Sequence, residues 1–241
     1  MHALLRCHAE GVTGVLRVFG NPGGLFHLRK GLVIAVDSPG APGTEALLLR
    51  SGRISEEDWT AALRDGDFTD RGSAGSVELQ VVAMAAAHDG AFAVTAGDLD
   101  GLDIGEPVGD VPLPVAGGID PHELLRETAR RLDALASLPF RLSPYRERVV
   151  SVPDAGIPVL SLLRQEITAH ANGRRSARDI AFAIGRSVYP VTVEISRMLS
   201  AELLTVAQDA PAVTTQTRLE SLRPRHSAAE SLEEERKDVG L

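Results

Sequence analysis

Cysteine, lysine and long apolar runs are scarce in this chain, and familiar catalytic motifs are missing from it. Cys7 is the only cysteine, so neither an intrachain disulfide framework nor a cysteine-rich zinc site is available. Lysine occurs only at Lys30 and Lys237 among 25 basic residues. With many Ala, Gly, Val and Leu, that arginine bias points to a GC-rich bacterial genome. No apolar run approaches the length expected of a bilayer-spanning segment. The opening Met1-His2-Ala3-Leu4-Leu5-Arg6-Cys7-His8 is too short and too polar for a secretory signal. The expected location is therefore the cytoplasm, without membrane insertion.

The chemistry that is missing matters as much. There is no glycine-rich loop ending in Gly-Lys-Ser/Thr and no Gly-Xaa-Ser-Xaa-Gly elbow. Gly20-Asn-Pro-Gly-Gly24 reads as a hairpin turn, since no helix start follows to hold a phosphate. The seven histidines are scattered, and Cys7-His8, being adjacent, point in different directions on a helix. Asp98, Asp100 and Asp103 lack the glycine and terminal glutamate of an EF-hand loop. The expectation is a non-enzyme with no cofactor, no metal and no small-molecule substrate.

What is present is an ordinary globular composition, 44% hydrophobic and 24% charged. The net charge of −8 disfavours broad attraction to nucleic acid or anionic lipid. Thr13 to Phe19, Leu25 to Arg29 and Leu32 to Val36 read as three strands joined by turns at Asn21–Gly24 and Lys30–Gly31. A short helix follows at Thr44–Arg50. Ser55-Glu-Glu-Asp58 then opens another that carries Trp59, Ala62 and Leu63 and ends before Gly66. Gly75 to Ala87 reads as a helix, Ala91 to Thr95 as a strand, and Asp98 to Gly118 as a loose Asp-, Gly- and Pro-rich stretch. Asp120 and Pro121 mark the start of a helix that Pro139 stops, with Leu124, Leu125, Leu132, Leu135 and Leu138 as its apolar face. A linker runs through Ser143-Pro144 and Val152-Pro153. Three helices follow, Ile157–Ala171, Ser176–Ile184 and Pro190–Leu203, and Leu204-Thr-Val206 reads as the start of a wing strand.

Two stretches resemble known families. Residues 11–66 resemble the PatA-like N-terminal domain, a module of bacterial signalling and regulatory proteins. The resembling pieces are Thr13-Gly-Val-Leu16, Gly31-Leu-Val-Ile-Ala-Val36 and Gly43-Thr-Glu-Ala-Leu47, motifs that are structural and carry no catalytic residues. Residues 157–206 resemble the winged-helix partner proteins of actinobacterial conservon-type GTPase switch systems. That likeness rests on Asn172-Gly-Arg-Arg-Ser-Ala-Arg-Asp-Ile180, Ala183-Ile-Gly185 and Val188 to Leu204, with Glu202-Leu-Leu204 where the commoner pattern has Gly-Leu-Val.

The expected class is α+β: a small antiparallel-sheet N-terminal domain with helices, then a winged-helix-like domain and a disordered tail. The expected boundaries are 1–118, a helix and linker at 119–153, the winged-helix-like domain at 154–208, and a flexible charged tail at 209–241. Two uses of the third C-terminal helix compete. As a DNA reader it would offer Thr192, Ser196 and Arg197, flanked by Arg174, Arg175, Arg178 and Arg186 on phosphates. Glu194 would oppose that role. As a docking surface the same residues would meet a regulatory protein, with Trp59 or the sheet edge of the first domain as a second interface or a route to self-association. The acidic balance favours the protein partner over DNA.

Overall fold

The computed structural model describes residues 2–66, 68, 75–153 and 161–207, which form one compact unit within Met1–Ala207. The tail expected at 209–241 and the start of the helix expected at Ile157 lie outside the described residues. The class is α+β with antiparallel sheets, as the sequence predicts.

Strands β1 (Gly14–Asn21), β2 (Gly24–Arg29) and β3 (Leu32–Asp37) follow α1 (His2–Ala9) and form consecutive antiparallel hairpins. Lys30 and Gly31 close the second hairpin with φ of 51° and 78°, the two positive angles that a two-residue turn matched to strand twist requires. A side chain at position 31 would also meet the carbonyl oxygen of His8 at 2.6 Å, so the turn doubles as the seat of α1. Leu4 and Cys7, three residues apart, bury the inner face of that helix.

Strand β4 (Asp98–Gly105) pairs antiparallel with β1 and completes a four-stranded sheet of order β3-β2-β1-β4. This corrects the loose stretch expected from Asp98. Asp and Gly are poor strand formers, but an edge strand is held by one ladder of backbone bonds, and that ladder overrides composition here. Beyond it, Val115 donates to the Ile34 carbonyl at 2.8 Å and Ile119 bridges Val33, so the chain returns along β3.

Helices α2 (Thr44–Arg50) and α3 (Glu56–Asp65) cover one end of the core. Ser55 caps α3 through the Asp58 amide at 3.0 Å, and Gly66 ends it in the left-handed conformation. Helix α4 (Ser76–Thr95) runs straight through the strand expected at Ala91–Thr95. A fully buried apolar run carries no periodicity that separates strand from helix, and Ala91 to Val94 are all buried. Small residues bring this helix onto the sheet: a Cβ at Gly90 would lie 2.6 Å from the Val36 carbonyl oxygen. Among the described helices α4 alone is long and apolar enough to cross a bilayer, contrary to the sequence expectation, yet 56% of that window is buried inside the fold. It is the core helix of this protein.

Helix α5 (Pro121–Ala136) starts as expected, with Asp120 accepting from the His122 amide at 2.7 Å. The chain then forms β5 (Arg148–Ser151), α6 (Leu162–His170), β6 (Asn172–Ser176), α7 (Ala177–Ile184), α8 (Val188–Ser200) and β7 (Leu204–Val206). The three short strands make a second antiparallel sheet of order β6-β5-β7. The sequence suggests a short strand pair in this half but places only Leu204–Val206: β5 lies in the expected linker, and β6 occupies the expected helix stop at Asn172-Gly173.

Two hydrophobic cores result. One gathers Leu16, Phe26, Val36, Trp59, Leu79 and Leu124; the other gathers Phe92, Val149, Ile167, Ile180, Ile195 and Met198. Helix α4 supplies residues to both, Leu79 and Ala83 to the first and Phe92 and Ala93 to the second. Trp59, expected as an interface residue, belongs to the first core: it is 5% exposed and stacks obliquely on Phe68 at 4.9 Å between ring centroids. Its truncation to Ala is expected to cost about 3–5 kcal/mol, the usual range for deleting a buried aromatic ring. Urea unfolding followed by circular dichroism measures this, and a cost below about 1 kcal/mol would return Trp59 to the surface.

Candidate interaction surfaces

The residues expected to meet DNA or a partner lie on β6, α7 and α8, and the fold sorts them by burial. Helix α8 buries Val188, Val191, Ile195, Met198 and Leu199, and also Thr192 and Ser196. The Thr192 hydroxyl donates to the Val188 carbonyl at 2.8 Å, and that of Ser196 to the Phe140 carbonyl at 2.6 Å. Both were expected on the outer face. They face inward because α8 packs on two sides, leaving a narrow exposed strip.

Around that strip, on α8 and the elements beside it, the positive charge is largely matched. Glu194 accepts from Arg164 at 2.5 Å and from Arg197 at 3.4 Å. Arg186 makes a two-pronged pair with Glu166 at 3.0 and 3.2 Å. Arg175 contacts the His170 ring nitrogen. Arg178 donates to the Pro39 carbonyl at 2.7 Å and to Asp179 at 3.1 Å, and its guanidinium lies 5.1 Å from the centroid of the Phe182 ring. Of the expected basic contacts, Arg174, Arg186 and Arg197 are exposed, and of these three only Arg174 has a side chain in no ion pair among the described residues.

Beneath this surface is a polar centre that sequence reasoning missed. The Asp89 carboxylate, on α4 and fully buried, accepts from the amides of Val188 at 2.5 Å and Tyr189 at 3.0 Å. Ser187, the residue before α8, provides no side-chain cap, so Asp89 does so from a helix 99 residues away in sequence. Arg131 stands 3.9 Å from Asp89 and lies over the Tyr189 ring, which packs edge-on to Phe92. Burial pushes the Asp89 carboxyl from 3.8 up to about 6, against the two amide bonds and Arg131, which pull it down. Next to it, His88 is held below its ordinary pKa by burial and then by Arg131, and its buried Nδ1 has no hydrogen-bond partner among the described residues. The Tyr145 hydroxyl donates to the Ala93 carbonyl at 2.6 Å, and burial raises its pKa. The only sequence signal for this centre was an acidic residue inside an apolar helix.

A different surface is open. Edge strand β4 has β1 as its one strand neighbour among the described residues, which leaves its other edge without a ladder partner. Register pairs Leu102 with Val18 and Ile104 with Leu16, so these side chains share the sheet face that forms the first core. Helix α4 covers that face elsewhere, but Leu99, Leu102 and Ile104 remain 54%, 50% and 38% exposed. Asp98 and Asp103 pair with Arg146 and Arg17. Among the described residues no group of three His, Cys, Asp or Glu side chains is placed to hold a metal.

Comparison with protein-family models, curated proteins and solved structures finds no match to this chain.

The raised Asp89 pKa gives stability a signed pH dependence. The folded state binds this proton more tightly than the unfolded chain, so the contribution is fully present below about 3.8 and is lost as pH rises through about 6. On moving from pH 7 to pH 5, the native protein is expected to gain about 1 kcal/mol over the Asp89→Asn variant. Denaturant unfolding of both proteins at the two pH values measures it. A native protein that instead loses stability relative to Asp89→Asn on acidification would mean that the charged form is the one the fold favours.

Proposed function

We propose that this chain is a non-catalytic regulatory adaptor of a GC-rich bacterium that works by protein–protein association through the β4 edge. The observation that carries the reading is the exposed apolar row of Leu99, Leu102 and Ile104 on a strand whose outer edge has no ladder partner among the described residues. Proteins ordinarily blunt such edges because they template pairing with another chain. The occupant that suits it is an extended segment of a partner protein, adding a strand and placing apolar side chains over Leu102 and Ile104. Its other residues would be basic. Asp98, Asp100, Asp103 and Glu106 line the strand and its exit, and the chain carries a net charge of −8. The same acidity disfavours a second copy, which would set carboxylates against carboxylates.

The likeness of residues 11–66 to the PatA-like domain fits this role, since that module serves regulatory proteins. The C-terminal helices and sheet are similar to a winged helix in having three helices with strands between and after them. The departure is the wing: β7 pairs with β5, which precedes α6, rather than with a strand that follows it. DNA reading through α8 is the weaker use, because Thr192 and Ser196 are buried and Arg186 and Arg197 are neutralised by Glu166 and Glu194.

Fluorescence anisotropy with two sets of extended peptides tests the reading, one alternating apolar with basic residues and the other apolar with acidic ones. The basic set is expected to bind with a salt-sensitive affinity that falls at least tenfold in the Leu102→Lys, Ile104→Lys variant. Equal binding by that variant, or dimerisation through β4 in sedimentation, would overturn it. Genomic DNA binding that the triple replacement of Arg174, Arg175 and Arg178 abolishes would put the DNA reading in its place.

A further inference from the structure

The turn between β1 and β2, the Pro39 loop, the end of α4 and the start of α7 enclose a polar cleft of about 700 Å³, within the usual range for small-ligand pockets. Three arginines line it: Arg146, Arg148 and Arg178. Guanidinium forks match the oxygens of phosphate in spacing and charge. We propose that this cleft binds a phosphate group, either free phosphate or the phosphoryl end of a small metabolite.

Charge gives the first reason. Asp98 and Asp179 also line the cleft, so its three arginines leave one positive charge in excess. The Arg148 side chain is exposed and takes part in no ion pair or hydrogen bond among the described residues. Arg146 meets Asp98 at 3.4 Å with both side chains about three-quarters exposed, a contact too hydrated to hold strongly. A dianion can therefore take Arg148 and compete for Arg146. A monoanionic carboxylate offers Arg146 nothing that Asp98 does not already supply.

Rigidity gives the second. Arg178 is fixed by the Pro39 carbonyl and Asp179, and with five donors it keeps capacity for a ligand. A Cβ at Gly97 would lie 2.4 Å from the Asn21 carbonyl oxygen, and one at Gly40 would lie 2.5 Å from Pro22 Cγ. The wall is thus packed to contact before any ligand arrives, which lowers the ordering cost of binding. The cleft shares Asp98 with the start of β4, but its three arginines lie outside that strand, so Arg148→Gln and the Leu102→Lys, Ile104→Lys variant test the two sites separately.

The test uses the full chain with inorganic phosphate and a nucleoside monophosphate, against chloride at matched ionic strength, read as the thermal midpoint and as arginine side-chain chemical shifts. Phosphate is expected to raise the midpoint saturably and to shift Arg146, Arg148 and Arg178. Arg148→Gln should weaken binding at least tenfold, whereas Arg141→Gln, outside the cleft, should leave it unchanged. Tighter binding of the nucleotide identifies a phosphorylated metabolite, and equal binding identifies phosphate itself. No rise beyond that in chloride, or an equal response in Arg148→Gln, overturns the proposal.

Discussion

The Asp89 carboxylate closes the N-terminus of α8 from inside α4, and much of the fold's arrangement follows from that one contact. A helix start leaves amides unpaired and carries partial positive charge. A capping side chain usually comes from the residue just before the helix. Here Ser187 does not serve, and a buried acid 99 residues away accepts from Val188 and Tyr189 instead. Burying a carboxylate is costly unless its oxygens are satisfied. Those two amides, with Arg131 alongside, satisfy it only when the two cores are docked. The contact therefore makes docking of the second core on α4 a matter of hydrogen bonding at the α8 N-terminus as well as of apolar packing around Phe92.

Helix α4 can play this part because of what it is made of. Its small residues let it lie close on the sheet at Gly90, while Phe92 and Ala93 enter the second core. Its packing on the sheet is concentrated on β3, at the opposite edge from β4. Leu99, Leu102 and Ile104 of β4 stay exposed on the same sheet.

The sequence made the first three strands and the capped helices legible because each had local punctuation. Asn21–Gly24 and Lys30–Gly31 fixed the turns, Ser55 and Asp120 fixed helix starts, and Gly66 fixed an end. Elements held by distant partners were not legible. Strand β4 is rich in Asp and Gly and exists through pairing with β1. The strands β5 and β6 are too short to show alternation. The end of α4, buried on all sides, has no period to read. For the site, the cluster of arginines was visible as a run near position 175, but its neutralising acids are spread over Glu166, Asp179 and Glu194. Asp89 was invisible because nothing local marks it as a cap for a helix 99 residues on.

The most direct test of this account follows the two cores separately during denaturation. Trp59, the only tryptophan, reports the first core by fluorescence, and hydrogen exchange of the Ile195 and Met198 amides reports the second. In the native chain both are expected to lose structure in one coincident transition, as in a two-state unit. In Asp89→Ala, exchange in α8 is expected to open at lower denaturant than the Trp59 transition. Two separate transitions in the native chain, or coincident and unshifted ones in Asp89→Ala, would contradict the claim that this buried carboxylate joins the two cores.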